Sequence, residues 1–197
     1  MIIKSYKCTK MIRKIVKLGE RQQHGLNYEK YVIKKYNLVK SNNYTSIDDA
    51  YTPDNIPVQI KCIKWGGVIE MGSYTRNKNK TGDFILIIGF WENVKNNIIK
   101  EHILYIDHTK FTKNLDFEYD NIMLSEMNQI SNSITDDTRW TKFREKYQSE
   151  WNKKNNILDI RFKRDHKYQK RIQCSISYKN FNNIFLNMFK PYTNLNF

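Results

Sequence analysis

An uninterrupted apolar run near the middle of the chain places the strongest limit on its fold. The run extends from Phe84 to Trp91 and contains no charged side chain. Because a strand that is apolar along its whole length must be covered on both faces, the run predicts a buried central strand. It is also well short of the roughly 20 residues that a helix needs to cross a bilayer. We therefore expect the run to lie inside a sheet rather than in a membrane.

Helix patterns precede this run. Residues 11–23 are helix-compatible, and Gly25 is expected to separate them from a second helix that ends near residue 36. Four positions of the second helix follow the i, i+3, i+7 spacing of a single face, so Glu29 should point toward the protein. These positions are Leu26, Glu29, Ile33 and Tyr36.

Strand patterns lie on both sides of the run. Strands are expected over residues 44–51, 56–63, 68–71, 98–107, 157–163 and 171–178, and further helical segments over 136–151 and 181–189. The first two strands are separated by the turn signal Pro53-Asp54-Asn55. The sequence therefore predicts a mixed α and β fold.

The first strand pair brings polar side chains together. Alternate residues of a strand share a face, so Gln59 and Lys61 are neighbours on one surface. Hairpin register decides which aspartate joins them, and both registers are open. A turn centred on Asp54 sets Asp49 opposite Gln59. A turn centred between Asp54 and Asn55 sets Asp48 opposite Lys61.

These residue types suit the hydrolysis of a phosphodiester. The reaction needs a cation that neutralises the developing charge and a polarised water. An aspartate, an amide or carbonyl oxygen and bound waters suit Mg²⁺, which prefers oxygen ligands. Lys61 would orient the attacking water and stabilise the charge that forms. Glu29, on the adjacent helix, would support the metal ligands or hold a second ion.

Charge indicates the partner. The chain has 34 Lys and Arg against 20 Asp and Glu, a formal charge of +14, which favours a polyanion such as nucleic acid. Residues 116–137 contain six acids and no Lys or Arg, whereas residues 139–190 contain fourteen bases and four acids. We therefore expect a nuclease core over residues 1–134 and a basic DNA-contacting extension over residues 135–197, packed as one domain.

Two segments are expected to contact DNA because they mix bases with amide side chains. The first is the stretch from Ser73 to Lys80, expected to be a loop, and the second runs from Arg161 to Gln173. The candidate contacts are Arg76, Lys78, Lys80, Lys163, Arg164, Lys167, Gln169, Lys170, Arg171 and Gln173.

The order of Glu29, then Asp48 or Asp49, then the Gln59-Ile60-Lys61 strand resembles the PD-(D/E)xK nuclease superfamily. The resemblance covers about residues 25–107. It implies an α/β (α+β) restriction-endonuclease-like fold, with a mixed β-sheet core flanked by helices, here followed by a basic α/β C-terminal extension. It also implies Mg²⁺-dependent cleavage of double-stranded DNA, frequently by a homodimer. Within the superfamily, the chain is most similar to type II restriction endonucleases.

The resemblance assigns roles residue by residue. Lys61 matches the motif lysine, and Gln59 matches the acidic or amide position. The resemblance implies that the backbone carbonyl of Ile60 is a metal ligand. Asp49 is the preferred motif aspartate, because Asp-Ala-Tyr gives an acid followed by strand residues, and Asp48 stays open.

Gln59 is a departure, since many members have a carboxylate there, and Glu70 on the next strand is a possible substitute. The departure leaves open a non-catalytic DNA-binding module with a degenerate nuclease fold. A structure-selective junction or repair nuclease is the nearest enzymatic alternative. A His-Asn-His-type site that uses His102 or the Asp107-His108 pair is a further one.

Cysteine usage bears on the compartment. Cys8, Cys62 and Cys174 form no CxxC pair and cannot all pair within one chain. The first twenty residues contain no apolar signal-peptide core. We therefore expect a protein of the reducing cytoplasm.

Overall fold

The computed structural model describes residues 21–41, 48–92, 97–131, 137–154, 157–164 and 170–195. In chain order, the elements are α1 (Arg21–Lys35), β1 (Val39–Lys40), β2 (Ala50–Tyr51), β3 (Pro57–Lys64), β4 (Ile69–Ser73), α2 (Tyr74–Lys78), β5 (Phe84–Glu92), β6 (Asn97–Ile106), α3 (His108–Lys113), α4 (Asp120–Ser131), α5 (Asp137–Lys153), β7 (Asp159–Arg164), β8 (Lys170–Ile176), α6 (Tyr178–Asn180), a π-helical turn (Phe181–Phe185), α7 (Leu186–Met188) and β9 (Lys190–Pro191). The fold is mixed α and β, as predicted.

The elements form two compact units. The first unit comprises the described residues up to Gly67, the segment Gly82–Asp107 and the described residues from Leu186 onward. The second unit comprises Val68–Thr81 and His108–Phe185. This division differs from the boundary expected at residue 134.

The first unit is a six-stranded mixed sheet. Its strand order is β1-β2-β3-β5-β6-β9. The pair β3 and β5 is parallel, and the other neighbouring pairs are antiparallel. Residues 84–90 of β5 are all buried, which confirms the predicted central strand.

Helix α1 packs on the sheet through a face that matches the expected one only in part. Tyr28, Val32 and Tyr36 are buried in the core of the first unit, whereas Leu26 is 47% exposed. The helix also continues through Gly25, because a single glycine costs a helix only about 1 kcal/mol. The predicted break was wrong. Of the predicted face, Tyr36 is buried and Ile33 packs against the core, whereas Leu26 does not. Residues 11–20 of the first predicted helix lie outside the described residues.

A partly buried carboxylate ties α1 to β6. Glu101 accepts hydrogen bonds from the Tyr28 hydroxyl at 2.6 Å, from Lys35 Nζ at 2.6 Å and from the Tyr36 hydroxyl. Burial, and then the Glu101 carboxylate, raise the pKa of Tyr28 well above its usual range. Charge-assisted bonds of this kind are stronger than neutral ones, so the network fixes α1 against the sheet.

The second unit contains a three-stranded antiparallel sheet of order β4-β8-β7. Helix α5 covers one face, where Trp140 and Phe143 contact the ring of Phe162 edge-on. The predicted pairing of the two C-terminal strands is confirmed. The acidic stretch of residues 116–137 contains helix α4, because Met123 and Ile130 give it an apolar stripe that is fully buried.

The segment expected as a basic loop between Ser73 and Lys80 contains α2, so this prediction was wrong. The Ser73 hydroxyl caps the helix by accepting the Arg76 N–H at 3.5 Å. The Asn77 side chain is buried and donates to the Met71 carbonyl at 2.8 Å.

Among the described residues, no helix has both the length and the apolar character needed to cross a membrane.

Candidate active site

The register of β2 against β3 places Asp49 beside the Gln59 strand. Ala50 pairs with Val58, which is the register of a turn centred on Asp54. This register sets Asp49, rather than Asp48, opposite Gln59. Asp48 directly precedes Asp49 and is partly buried.

The Asp49 backbone is held from both sides. Its N–H donates to the Val58 carbonyl at 3.0 Å, and its own carbonyl accepts the Ser41 N–H at 3.2 Å. The side chain extends the contact with β3, since Oδ2 accepts the Ile60 N–H at 2.7 Å. The same oxygen lies 3.6 Å from Lys61 Nζ. Asp49 is therefore fixed by the backbone of β3 and by the predicted lysine together.

Gln59 is an unusual buried polar residue. Its side chain is only 5% exposed, and its Oε1 atom is buried without a hydrogen-bond partner among the described residues. An unpaired buried polar group costs roughly 1–3 kcal/mol. A partner for this oxygen would therefore be favourable.

Three oxygen atoms of β3 and its neighbour are the candidates for the predicted metal ligands. The contacts of Asp49 with described residues use Oδ2, which leaves Oδ1 for another ligand. A strand residue directs its N–H and C=O to the same side, so the Ile60 carbonyl points to the side from which Asp49 receives the Ile60 N–H. Carboxylate, amide and carbonyl oxygens such as these are the ligand types that Mg²⁺ prefers. Across the described residues, no group of three or more His, Cys, Asp or Glu side chains could hold a metal ion.

Glu29 contributes to a neighbouring ion pair. Its Oε1 atom lies 3.6 Å from Lys40 Nζ on β1, and its side chain is partly buried. The described contacts join Glu29 to Lys40 and not to Asp49, Gln59 or Lys61. The structure therefore gives no direct contact for the predicted supporting role.

The three basic residues of the Ser73–Lys80 segment that are predicted to contact DNA have different surroundings. Arg76 is exposed. Lys78 forms an ion pair with Asp120, and Lys80 is only 4% exposed. Arg76 is therefore the member of this group that is most accessible to a nucleic acid.

The β7–β8 pair carries the other predicted contacts. Arg171 is exposed, Lys163 is partly buried, and Gln173 has a buried Oε1 atom without a partner in the described part of the chain. Arg164 and Lys170 belong to the strands, but their side chains, and Lys167 and Gln169 entirely, lie outside the described residues. Arg161 lies within the predicted segment but is not among the predicted individual contacts. It is exposed, and its position two residues before Lys163 places it on the same strand face.

Glu70 and His102 each have a local explanation. Glu70, the possible substitute ligand, forms ion pairs with Arg161 and Lys163. His102 lies edge-on to Phe90 with ring centroids 6.1 Å apart. Burial, and then the charge of Lys100, lower the pKa of His102 to about 4.

No protein-family model matches this sequence, and no curated protein is significantly similar to it.

Proposed function

We propose that this chain is a Mg²⁺-dependent endonuclease that hydrolyses phosphodiester bonds of duplex DNA. One observation carries the proposal: Asp49 is held against the Ile60 N–H and the Lys61 ammonium, on the strand whose Gln59 amide oxygen has no partner among the described residues. An ordinary polar hairpin does not require a buried amide without a partner. A bound cation would explain it.

The order of elements supports a restriction-endonuclease-like core of the PD-(D/E)xK type. Helix α1 carries Glu29 and precedes the β2–β3 pair, and the apolar β5 lies next to β3. The parallel arrangement of β3 and β5 gives a mixed sheet, which is what the resemblance implies. Gln59 in place of a carboxylate leaves Asp49 as the single carboxylate of the proposed ligand set.

Each residue has a distinct chemical role in this proposal. Asp49 Oδ1, Gln59 Oε1 and the Ile60 carbonyl would hold Mg²⁺. When bound, the ion neutralises charge on the scissile phosphate and polarises a water molecule. Lys61 donates hydrogen bonds to the attacking water and to the phosphate oxygens, while Asp49 keeps the ammonium in place. The expected products carry a 5′-phosphate and a 3′-hydroxyl, as the resemblance implies.

The partner and setting follow from charge and symmetry. A formal charge of +14 favours association with duplex DNA. A restriction-type enzyme that reads a short palindrome would be a two-fold homodimer, since protein symmetry mirrors site symmetry. Cys62 and Cys174 are free thiols, which supports a reducing cytoplasm.

A plasmid digest with a charge-neutral variant tests the proposal. We expect the wild-type chain to cleave supercoiled plasmid with Mg²⁺ and to lose this activity in EDTA. Asp49→Asn keeps a side-chain oxygen for the Ile60 N–H but removes the ligand charge, so cleavage should fall by at least about 100-fold.

Three other outcomes would favour different functions. Cleavage by Asp49→Asn at the wild-type rate would contradict the site. DNA binding with steep salt dependence but no metal-stimulated cleavage would indicate the non-catalytic module. Activity confined to branched DNA would indicate a junction nuclease, whereas discrete fragments from a plasmid support a site-specific enzyme.

A further inference from the structure

The face of the β7–β8 pair opposite α5 presents three cations. Lys163 lies directly opposite Arg171, and Arg161 lies two residues before Lys163. Residues that are opposite or two apart share a sheet face. The side chains of Arg161 and Lys163 are 44% and 37% exposed, and Arg171 is also exposed. The other face carries Phe162 and packs on α5.

One carboxylate bridges two of these cations. Glu70, on β4, lies across β8 from β7. Its Oε1 atom is 3.3 Å from Lys163 Nζ and 3.6 Å from Arg161 Nη1. The other oxygen, Oε2, is buried without a hydrogen-bond partner among the described residues. A single anionic oxygen therefore sits between an ammonium and a guanidinium, as a phosphate oxygen would.

We propose that Arg161, Lys163 and Arg171 form a phosphate clamp for the DNA backbone, and that Glu70 occupies the clamp in the free protein. The inference rests on the proposed function for its ligand, duplex DNA. A phosphate offers these donors the same charge-assisted bonds as the carboxylate does. Half-exposed ion pairs are worth little, and each phosphate contact also releases counterions. Binding therefore exchanges the Glu70 contacts for phosphate contacts, and Glu70 lowers the affinity for DNA.

The clamp predicts opposite effects for its acid and its bases. Arg171→Ala should weaken binding of a fluorescent duplex about 5–10-fold and reduce the salt slope by about 1. Glu70→Gln, which keeps the side-chain shape, should strengthen binding about 3–10-fold because the competing charge is gone. Fluorescence anisotropy in EDTA across a salt series measures both quantities without cleavage.

Matched controls separate the clamp from net charge. Lys179→Ala and Glu118→Gln make the same charge changes at exposed positions of the second unit that lie outside its sheet. Each should change the affinity by less than about 2-fold. Equal effects of Arg171→Ala and Lys179→Ala, or of Glu70→Gln and Glu118→Gln, would overturn the clamp.

The two proposals fail in different ways. If Arg171→Ala binds DNA normally while cleavage still depends on Asp49, the clamp is wrong and the nuclease stands. If the clamp variants change binding as expected but Mg²⁺ stimulates no cleavage, the nuclease is wrong and the clamp stands. A wild-type chain that does not bind the duplex overturns the clamp.

Discussion

Gly89 sets how closely α1 approaches the sheet. A Cβ atom at this position would lie 2.3 Å from Cζ of Tyr28, much closer than atoms in contact can be. Tyr28 is held there because its hydroxyl donates to Glu101, the residue paired with Gly89 across β5 and β6. The glycine is therefore required by contact between side chain and strand rather than by a turn.

A pair of glycine substitutions tests this contact. Gly89→Ala should lower the free energy of unfolding by about 1–3 kcal/mol, because Tyr28 must move and the packing of α1 is strained. Gly25→Ala in α1 is the control, since nothing lies within 4 Å of its added methyl. The control should raise stability by about 0.5–1 kcal/mol through helix propensity. Urea unfolding measures both, and an unchanged midpoint for Gly89→Ala would refute the close contact.

At the residue scale, sequence patterns predicted which residues lie near Lys61 better than they predicted which basic side chains are exposed. Strand alternation and turn chemistry, which are local properties of a hairpin, predicted that Asp48 or Asp49 lies beside Lys61, and Asp49 Oδ2 lies 3.6 Å from Lys61 Nζ. The choice of Asp49 needed the register itself. The burial of Lys80 depends on tertiary neighbours, which local patterns do not contain.

At the element scale, the apolar run was the most predictable feature. Because β5 is short and apolar on both faces, it is expected to lie between two other strands with both faces covered. Helix α2 was missed because its five residues give too short a pattern to distinguish a helix from a polar loop. Helix α4 is not evident from the sequence because its composition is acidic, although Met123 and Ile130 lie at helical spacing and their burial stabilises the helix.

The pairing of β5 with β6 is expected to respond to acid through His102, which lies opposite Ile88. Its pKa falls from 6.5 to about 4 on folding. The unfolded chain therefore binds a proton in this interval that the folded chain excludes. The free energy of unfolding is therefore at its full value above pH 6.5, with respect to His102, and decreases as the pH falls toward 4.

A neutral substitution isolates this contribution. His102→Gln should lose less stability than the wild type between pH 6.5 and 4, because glutamine does not titrate. Urea unfolding across this interval gives the difference between the two proteins, in which the other titrating groups cancel. A difference that does not vary with pH would exclude His102 as the source.

At the scale of the whole molecule, charge predicted a polyanionic partner but composition did not predict how the units are built. Strand β4 follows the proposed catalytic strand in sequence, yet it pairs with the C-terminal β8. Such long-range pairing depends on contacts between distant segments. The change in charge near residue 134 therefore does not coincide with a boundary between the two structural units.

The central claim, that Lys61 and its neighbours hydrolyse DNA, is tested most directly by single-turnover cleavage of a supercoiled plasmid with Mg²⁺ and excess protein. Lys64 is the matched control because it is an exposed lysine on the same strand. We predict that Lys61→Ala lowers the cleavage rate by at least about 100-fold, with DNA affinity in EDTA nearly unchanged, and that Lys64→Ala cleaves at close to the wild-type rate. Cleavage by Lys61→Ala at the wild-type rate would contradict the account.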